Sequence, residues 1–245
     1  MQDEEQNASV PSRIAATSTD RDADEDNDIM IALGADAPEP LYSLLSGARR
    51  VCYEPKDILY HVDKTVDTVY FITQGMPKLI VHLPNGSERI VRLHRPGSVL
   101  GLSGLRDQTN DHTAVAVTPV VTLQLPLGAI ERLRTNDPAS YASLTERWLD
   151  YLQTADTWIA QFSTGSIRSR VARMLAFLTE FEPDAADGQV QLLTCEEMGS
   201  ILGVTGESVS RTLAEFKRQQ ILVQQSKSNE VYDVDVDRLN NISIE

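Results

Sequence analysis

Three side chains in this 245-residue sequence, Glu207, Ser210 and Arg211, combine types and spacing that suggest a definite chemistry. They stand at i, i+3 and i+4, and so share one face of any helix that carries them. An arginine fork can pair with O6 and N7 of guanine, a glutamate can accept from cytosine N4, and a serine suits either. That is recognition of base edges, not bond breaking. Catalytic or metal-binding sets are harder to assemble. The four histidines, His61, His82, His94 and His112, make no His-x-His pair, and Cys52 and Cys195 have no Cys-x-x-Cys partner. No metal site is expected, nor a disulfide framework. A cupin-like metalloenzyme on a small β-barrel would need clustered histidine and carboxylate ligands that this spacing does not supply.

The element that must position the three side chains is the stretch 194–219. Thr194 followed by Glu197 fits a capping box, in which hydroxyl and carboxylate each satisfy the other's backbone amide. Met198, Ile201 and Leu202 follow at helical spacing. Gly203 ends that helix, since glycine enters the left-handed region without a Cβ penalty. Thr205 then caps a second helix with Val209, Leu213 and Phe216 on one face and Glu207, Ser208, Ser210, Arg211 and Lys217 on the other. A helical hairpin with a solvated face has the same pattern. The motif Leu-Thr-x-Glu-Glu-Met-Gly-Ser-Ile-Leu-Gly-Val-Thr-x-Glu-Ser-Val-Ser-Arg-Thr-Leu decides between them, because it closely resembles the helix-turn-helix of the Crp–Fnr superfamily of bacterial transcription regulators. The resemblance implies base reading by Glu207, Ser210 and Arg211. Thr194, Thr205, Gly206, Ser208, Lys217 and Lys227 would make backbone or positioning contacts. Glu-x-x-Ser-Arg is the pattern of the Fnr branch, with Gly206 where many cyclic-AMP-type members carry arginine. It implies TTGAT-like half-sites in an inverted repeat, with double-stranded DNA as the partner.

The composition has to be squared with DNA. Net charge is −14, but residues 1–40 hold eleven carboxylates against two arginines. Residues 1–36 read as a disordered acidic tail. Arg211, Lys217 and Arg218 leave a local basic cluster, so arbitrary DNA should bind weakly and salt-sensitively. No apolar run reaches the length of a membrane span, and no basic segment precedes an apolar stretch at the start. The expectation is a cytoplasmic protein without a membrane partner.

Between the tail and the reading stretch, short strand-like runs at 50–53, 57–60, 68–73, 78–82, 88–93, 114–118 and 121–125 are separated by turn residues, with Asn85-Gly86 marking a hairpin. They imply a rolled antiparallel architecture. The segments Tyr-x-x-x-Asp-x-Leu-Tyr-His-Val-Asp and Pro-Asn-Gly-Ser-Glu-Arg-Ile-Val-Arg-Leu-His-Arg-Pro-Gly-Ser-Val-Leu-Gly resemble the effector domain of the same superfamily. In members that bind cyclic AMP, a glutamate and an Arg–Ser or Arg–Thr pair hold the ribose and the phosphate. Those places carry Leu102, followed by Ser103, and His112 followed by Thr113. Leucine cannot accept a ribose hydroxyl, and neutral histidine is a poor substitute for an arginine fork on phosphate. The base-closing pair falls near Tyr151 and Leu152, a further departure. Leu102, Ser103, His112, Thr113, Tyr151 and Leu152 therefore mark an effector pocket unsuited to cyclic AMP. No cofactor is expected. A cyclic-nucleotide- or haem-responsive regulator of the same fold is the alternative; the iron–sulfur members' cysteine cluster is absent.

From Pro138 to about Phe162 the apolar residues Leu144, Trp148, Tyr151, Ala155, Trp158 and Phe162 repeat at spacings 4-3-4-3-4, a heptad seam. Leu152 and Ile159 would widen it toward the body. The resemblance implies a homodimer through this seam, a hinge at Ser163, Thr164 and Gly165, and RNA polymerase as a partner if the protein activates transcription. The expected fold is α+β. Its parts are the tail (1–36), a cyclic-nucleotide-binding-like β-roll (37–136), a dimerisation helix (137–163) and a winged helix-turn-helix domain (164–245).

Overall fold

The computed structural model describes residues 18–34, 37–106, 109–181, 188–225 and 231–244, with side chains apart from those of 18–23, 25 and 147–154. The chain divides into two compact units, residues 1–78 with 94–145 and residues 79–93 with 146–245. No helix among the described residues is long and apolar enough to cross a membrane.

Helices α1 (Ser18–Leu33) and α2 (Glu39–Leu45) precede the strands β1 (Arg49–Tyr53), β2 (Ile58–Tyr60), β3 (Thr68–Gln74), β4 (Pro77–His82), β5 (Glu88–Leu93), β6 (Val99–Leu100), β7 (Thr113–Ala116) and β8 (Val120–Pro126). They form two four-stranded sheets, ordered β1-β8-β3-β6 and β2-β7-β4-β5. The central pair, β3 and β8, is antiparallel and sets Phe71 against Leu123 and Val69 against Leu125. All four are buried, as alternation on a sheet with one inner face requires. The Asn85-Gly86 hairpin between β4 and β5 forms as expected, with Gly86 N–H donating to the Leu83 carbonyl. A 3₁₀ turn at Leu102–Arg106 follows β6. Helix α3 (Leu127–Asn136), which the sequence reading did not anticipate, buries Ile130 and Leu133.

The acidic leader is corrected in part. Residues 18–33 are helical, and Ile29, Ala32 and Leu33 are buried at i, i+3 and i+4. Asp28 is 1% exposed. One of its oxygens accepts from Arg50 Nε at 2.7 Å, and Oδ1 has no hydrogen-bond partner among the described residues. Composition suggested disorder; a narrow apolar stripe and one ion pair between buried Asp28 and half-exposed Arg50 are enough to dock the helix. Residues 1–17 lie outside the described residues. Arg50→Ala leaves Asp28 buried and unpaired, a loss that elsewhere costs about 3–5 kcal/mol. Undocking α1 is the cheaper escape, so faster amide exchange across residues 18–33 is the expected result.

In the second unit, α4 (Pro138–Ser163, from Glu146 onward), α5 (Ile167–Leu178), α6 (Cys195–Leu202), α7 (Gly206–Arg218) and α8 (Val236–Ser243) surround a small sheet of β9 (Gln189–Gln191), β10 (Leu222–Gln224) and β11 (Val231–Val234), ordered β10-β11-β9. This is the expected helix-turn-helix with its wing. The hairpin of residues 79–93 belongs to the same unit. There Ser200 of α6 donates its hydroxyl to the Glu88 carbonyl and accepts from Ile90 N–H, both at 2.9 Å.

Candidate nucleic-acid interface

The turn between α6 and α7 follows from its residues. The capping box at Thr194 and Glu197 is complete. Gly203 closes α6 in the left-handed region at φ 66°. Gly199 has no alternative: a Cβ there would stand 2.7 Å from the Val204 carbonyl oxygen. Thr205 caps α7 by accepting from Ser208 N–H. Val209, Leu213 and Phe216 are buried on one side of α7, and Met198, Ile201 and Leu202 of α6 are buried in the same unit.

On the other side Glu207, Ser210 and Arg211 are exposed. Arg211 Nη2 lies 2.5 Å from Glu207 Oε1, with the two side chains 79% and 72% exposed. A pair so open to water contributes little and separates at little cost. The face therefore offers one fork of donors and one carboxylate acceptor, the chemistry required for base edges.

The positioning residues behave less uniformly. The Thr194 and Thr205 hydroxyls are used as helix caps. Gly206 is buried, and Ser208 is half-buried. Lys217 is exposed, but its ammonium donates to the Tyr232 hydroxyl at 3.0 Å and sits 4.5 Å from that ring's centre, joining α7 to the wing. Lys227 lies outside the described residues. At the hinge, α4 ends at Ser163 and Gly165 takes φ 84°. The Thr164 hydroxyl donates to the Ala160 carbonyl, and the Arg173 guanidinium donates to the Thr164 carbonyl and to that of Ser243.

Part of the expected heptad seam is taken up within the chain. Leu144, Trp158 and Phe162 are buried within the chain. Trp158 and Phe162 pack edge to face with each other at 4.7 Å and with Phe177 of α5 at 5.5 Å, and Phe177 meets Phe181 at 4.9 Å. Ala155 is half-buried. Ile159, assigned to the body side from sequence, is 60% exposed. The side chains of Trp148, Tyr151 and Leu152 lie outside the description. Phe177 of α5 and Phe181, three residues past its end, were missed, although their spacing of four is itself a local aromatic pattern.

At the expected effector pocket, Leu102 and Thr113 are buried, and Ser103 and His112 are half-buried. The Thr113 hydroxyl accepts from Val62 N–H at 3.1 Å, an internal use. A separate cleft of about 240 Å³ is lined by Tyr60, His61, Lys64, Asp67, Tyr70 and Asn110 among others; none of those four expected residues lines it. The Tyr60 and Tyr70 rings stand 5.5 Å apart, and burial pushes the Tyr70 phenol up to about 12. Tyr60 falls in a segment that carries the resemblance, but the sequence reading assigned neither tyrosine to a cleft.

Residues 50–137 match the cyclic nucleotide-binding domain family, and residues 169–242 match the Crp-like helix-turn-helix domain family. The chain is 28% identical over 200 residues to the transcriptional regulatory protein btr of Bordetella pertussis, covering 79% of this chain and 81% of that one. It is 26% identical over 169 residues to the transcriptional regulator LdrP of Thermus thermophilus, covering 68% and 84%. The structure of FixK2 from Bradyrhizobium japonicum superposes with a TM-score of 0.70 at 23% identity, over 80% of this chain and 96% of that one, and shares the fold.

Proposed function

We propose that the chain is a transcription regulator of the Crp–Fnr family and not an enzyme, with a cyclic-nucleotide-binding domain and a DNA-binding helix-turn-helix, that it reads an inverted repeat of TTGAT-like half-sites as a homodimer, and that cyclic AMP is not its effector. One observation carries the reading: Glu207, Ser210 and Arg211 are the exposed face of a helix whose other face is buried. Two such helices one turn of duplex apart, roughly 34 Å, would meet half-sites on one side of the DNA. Dimer contact through the exposed Ile159 face of α4 would supply the spacing. The Ser163-Thr164-Gly165 hinge would let the reading helices change register, a population shift between two arrangements. RNA polymerase would join on DNA if the protein activates, and the site of action is the cytoplasm.

The effector side is supported by chemistry. A buried Leu102 offers no acceptor for a ribose hydroxyl, and the Thr113 hydroxyl already has an internal donor.

The test is a titration of the full-length protein onto a TTGAT-N4-ATCAA duplex and a scrambled duplex at fixed salt, with and without cyclic AMP. Selective binding that ignores the nucleotide is the expected result. Equal affinity for both duplexes would refute the half-site, and selectivity that appears only with cyclic AMP would refute the effector assignment.

A further inference from the structure

Gly206, at the first position of α7, is a buried glycine whose missing side chain is replaced by another residue's. A Cβ built on it would lie 2.4 Å from Glu196 Oε1, 2.6 Å from Cδ and 2.9 Å from Oε2. The Glu196 carboxylate thus fills the space in which a side chain at 206 would begin. Glu196 itself is exposed and belongs to the first turn of α6. The partial positive charge of the α7 N-terminus favours a carboxylate there. That same end of a reading helix is the one that enters the major groove, and Glu207, the next residue, is already on the reading face.

We propose that Glu196 is a base-discriminating residue supplied by the first helix of the motif, an inference that rests on the DNA-reading assignment above. A carboxylate is acceptor-only. It accepts from the exocyclic amines of cytosine and adenine, and it repels guanine O6 and N7 and thymine O4. Its seat on Gly206 makes it a second acid beside Glu207, distinct from the donor fork of Arg211. At the base pair nearest the start of α7 the strand facing Glu196 should therefore carry adenine or cytosine, whose exocyclic amine can donate to the carboxylate.

The experiment is a random-sequence selection with the full-length wild type, Glu196→Gln and Gly206→Ala, followed by affinity ratios for single base changes. Wild type should enrich adenine or cytosine over guanine and thymine on one defined strand at the base pair next to those read by Glu207 and Arg211. Glu196→Gln adds a donor, and preference at that one position should fall roughly tenfold, with preference at the Arg211 position kept. Gly206→Ala displaces the carboxylate by a methyl group and should cause the same local loss, with an unchanged or higher melting temperature because alanine favours helix over glycine. A purely structural role for Glu196 predicts the opposite pattern, an even loss at all positions with lowered melting temperature, and that would overturn the proposal. Identical preferences in all three proteins would overturn it too and leave the DNA-reading assignment standing. No enriched sequence even for wild type would overturn both.

Discussion

Ile159→Glu is expected to break the proposed dimer and leave the folded chain intact, whereas Phe162→Ala should destabilise the fold itself. Both residues lie on α4, three apart, yet one is 60% exposed and the other is fully buried. Phe162 touches Trp158 and Phe177 edge to face. Deleting its ring leaves a cavity in that cluster, at a cost of about 3–5 kcal/mol, read as a drop in the denaturant midpoint. Glutamate at 159 leaves the monomer's core untouched. In a two-fold interface each substitution occurs twice. About 2 kcal/mol per copy compounds to a dissociation constant raised on the order of a thousandfold. Sedimentation across a concentration series reads that change. A dimer insensitive to Ile159→Glu would put the contact elsewhere.

Arg211→Ala should abolish most sequence preference with little effect on binding to arbitrary DNA. The arginine's free-state partner, Glu207, is held by an exposed ion pair of about 0.3–0.5 kcal/mol, so little is lost when DNA separates them. A bidentate contact to guanine contributes about 1–3 kcal/mol of discrimination. Selectivity for the specific over the scrambled duplex should fall by roughly 5- to 150-fold. Arg211→Lys should recover little of it, because a lysine has no planar fork. Equal losses on both duplexes would demote Arg211 to a phosphate contact.

What the sequence made legible is what neighbouring residues decide. The capping box at Thr194, the left-handed Gly203 and the cap at Thr205 are local hydrogen-bond chemistry, and the second unit contains all three. The Asn85-Gly86 hairpin is of the same kind. The α4 seam was legible only in part, because a heptad reports that a face is buried, not by what. Trp158 and Phe162 serve a partner in the same chain, Phe177, which no spacing within α4 could reveal. Helix α1 was hidden by its charge: its docking depends on Arg50, twenty-two residues beyond Asp28. The Glu196 seat on Gly206 joins two helices across the turn, and only the packing of one on the other brings them together.

The side-chain bridge from Ser200 to the backbone of β5 bears on the exposure of a sheet edge. Strand β5 is last in its sheet, and an outermost strand with unsatisfied amides and carbonyls is a template onto which a strand of another molecule can add. Ser200 occupies the Glu88 carbonyl and the Ile90 amide with one hydroxyl. An incoming strand would have to displace a helix to reach them. The same serine that fastens α6 thus guards this edge against the addition of a strand from another molecule.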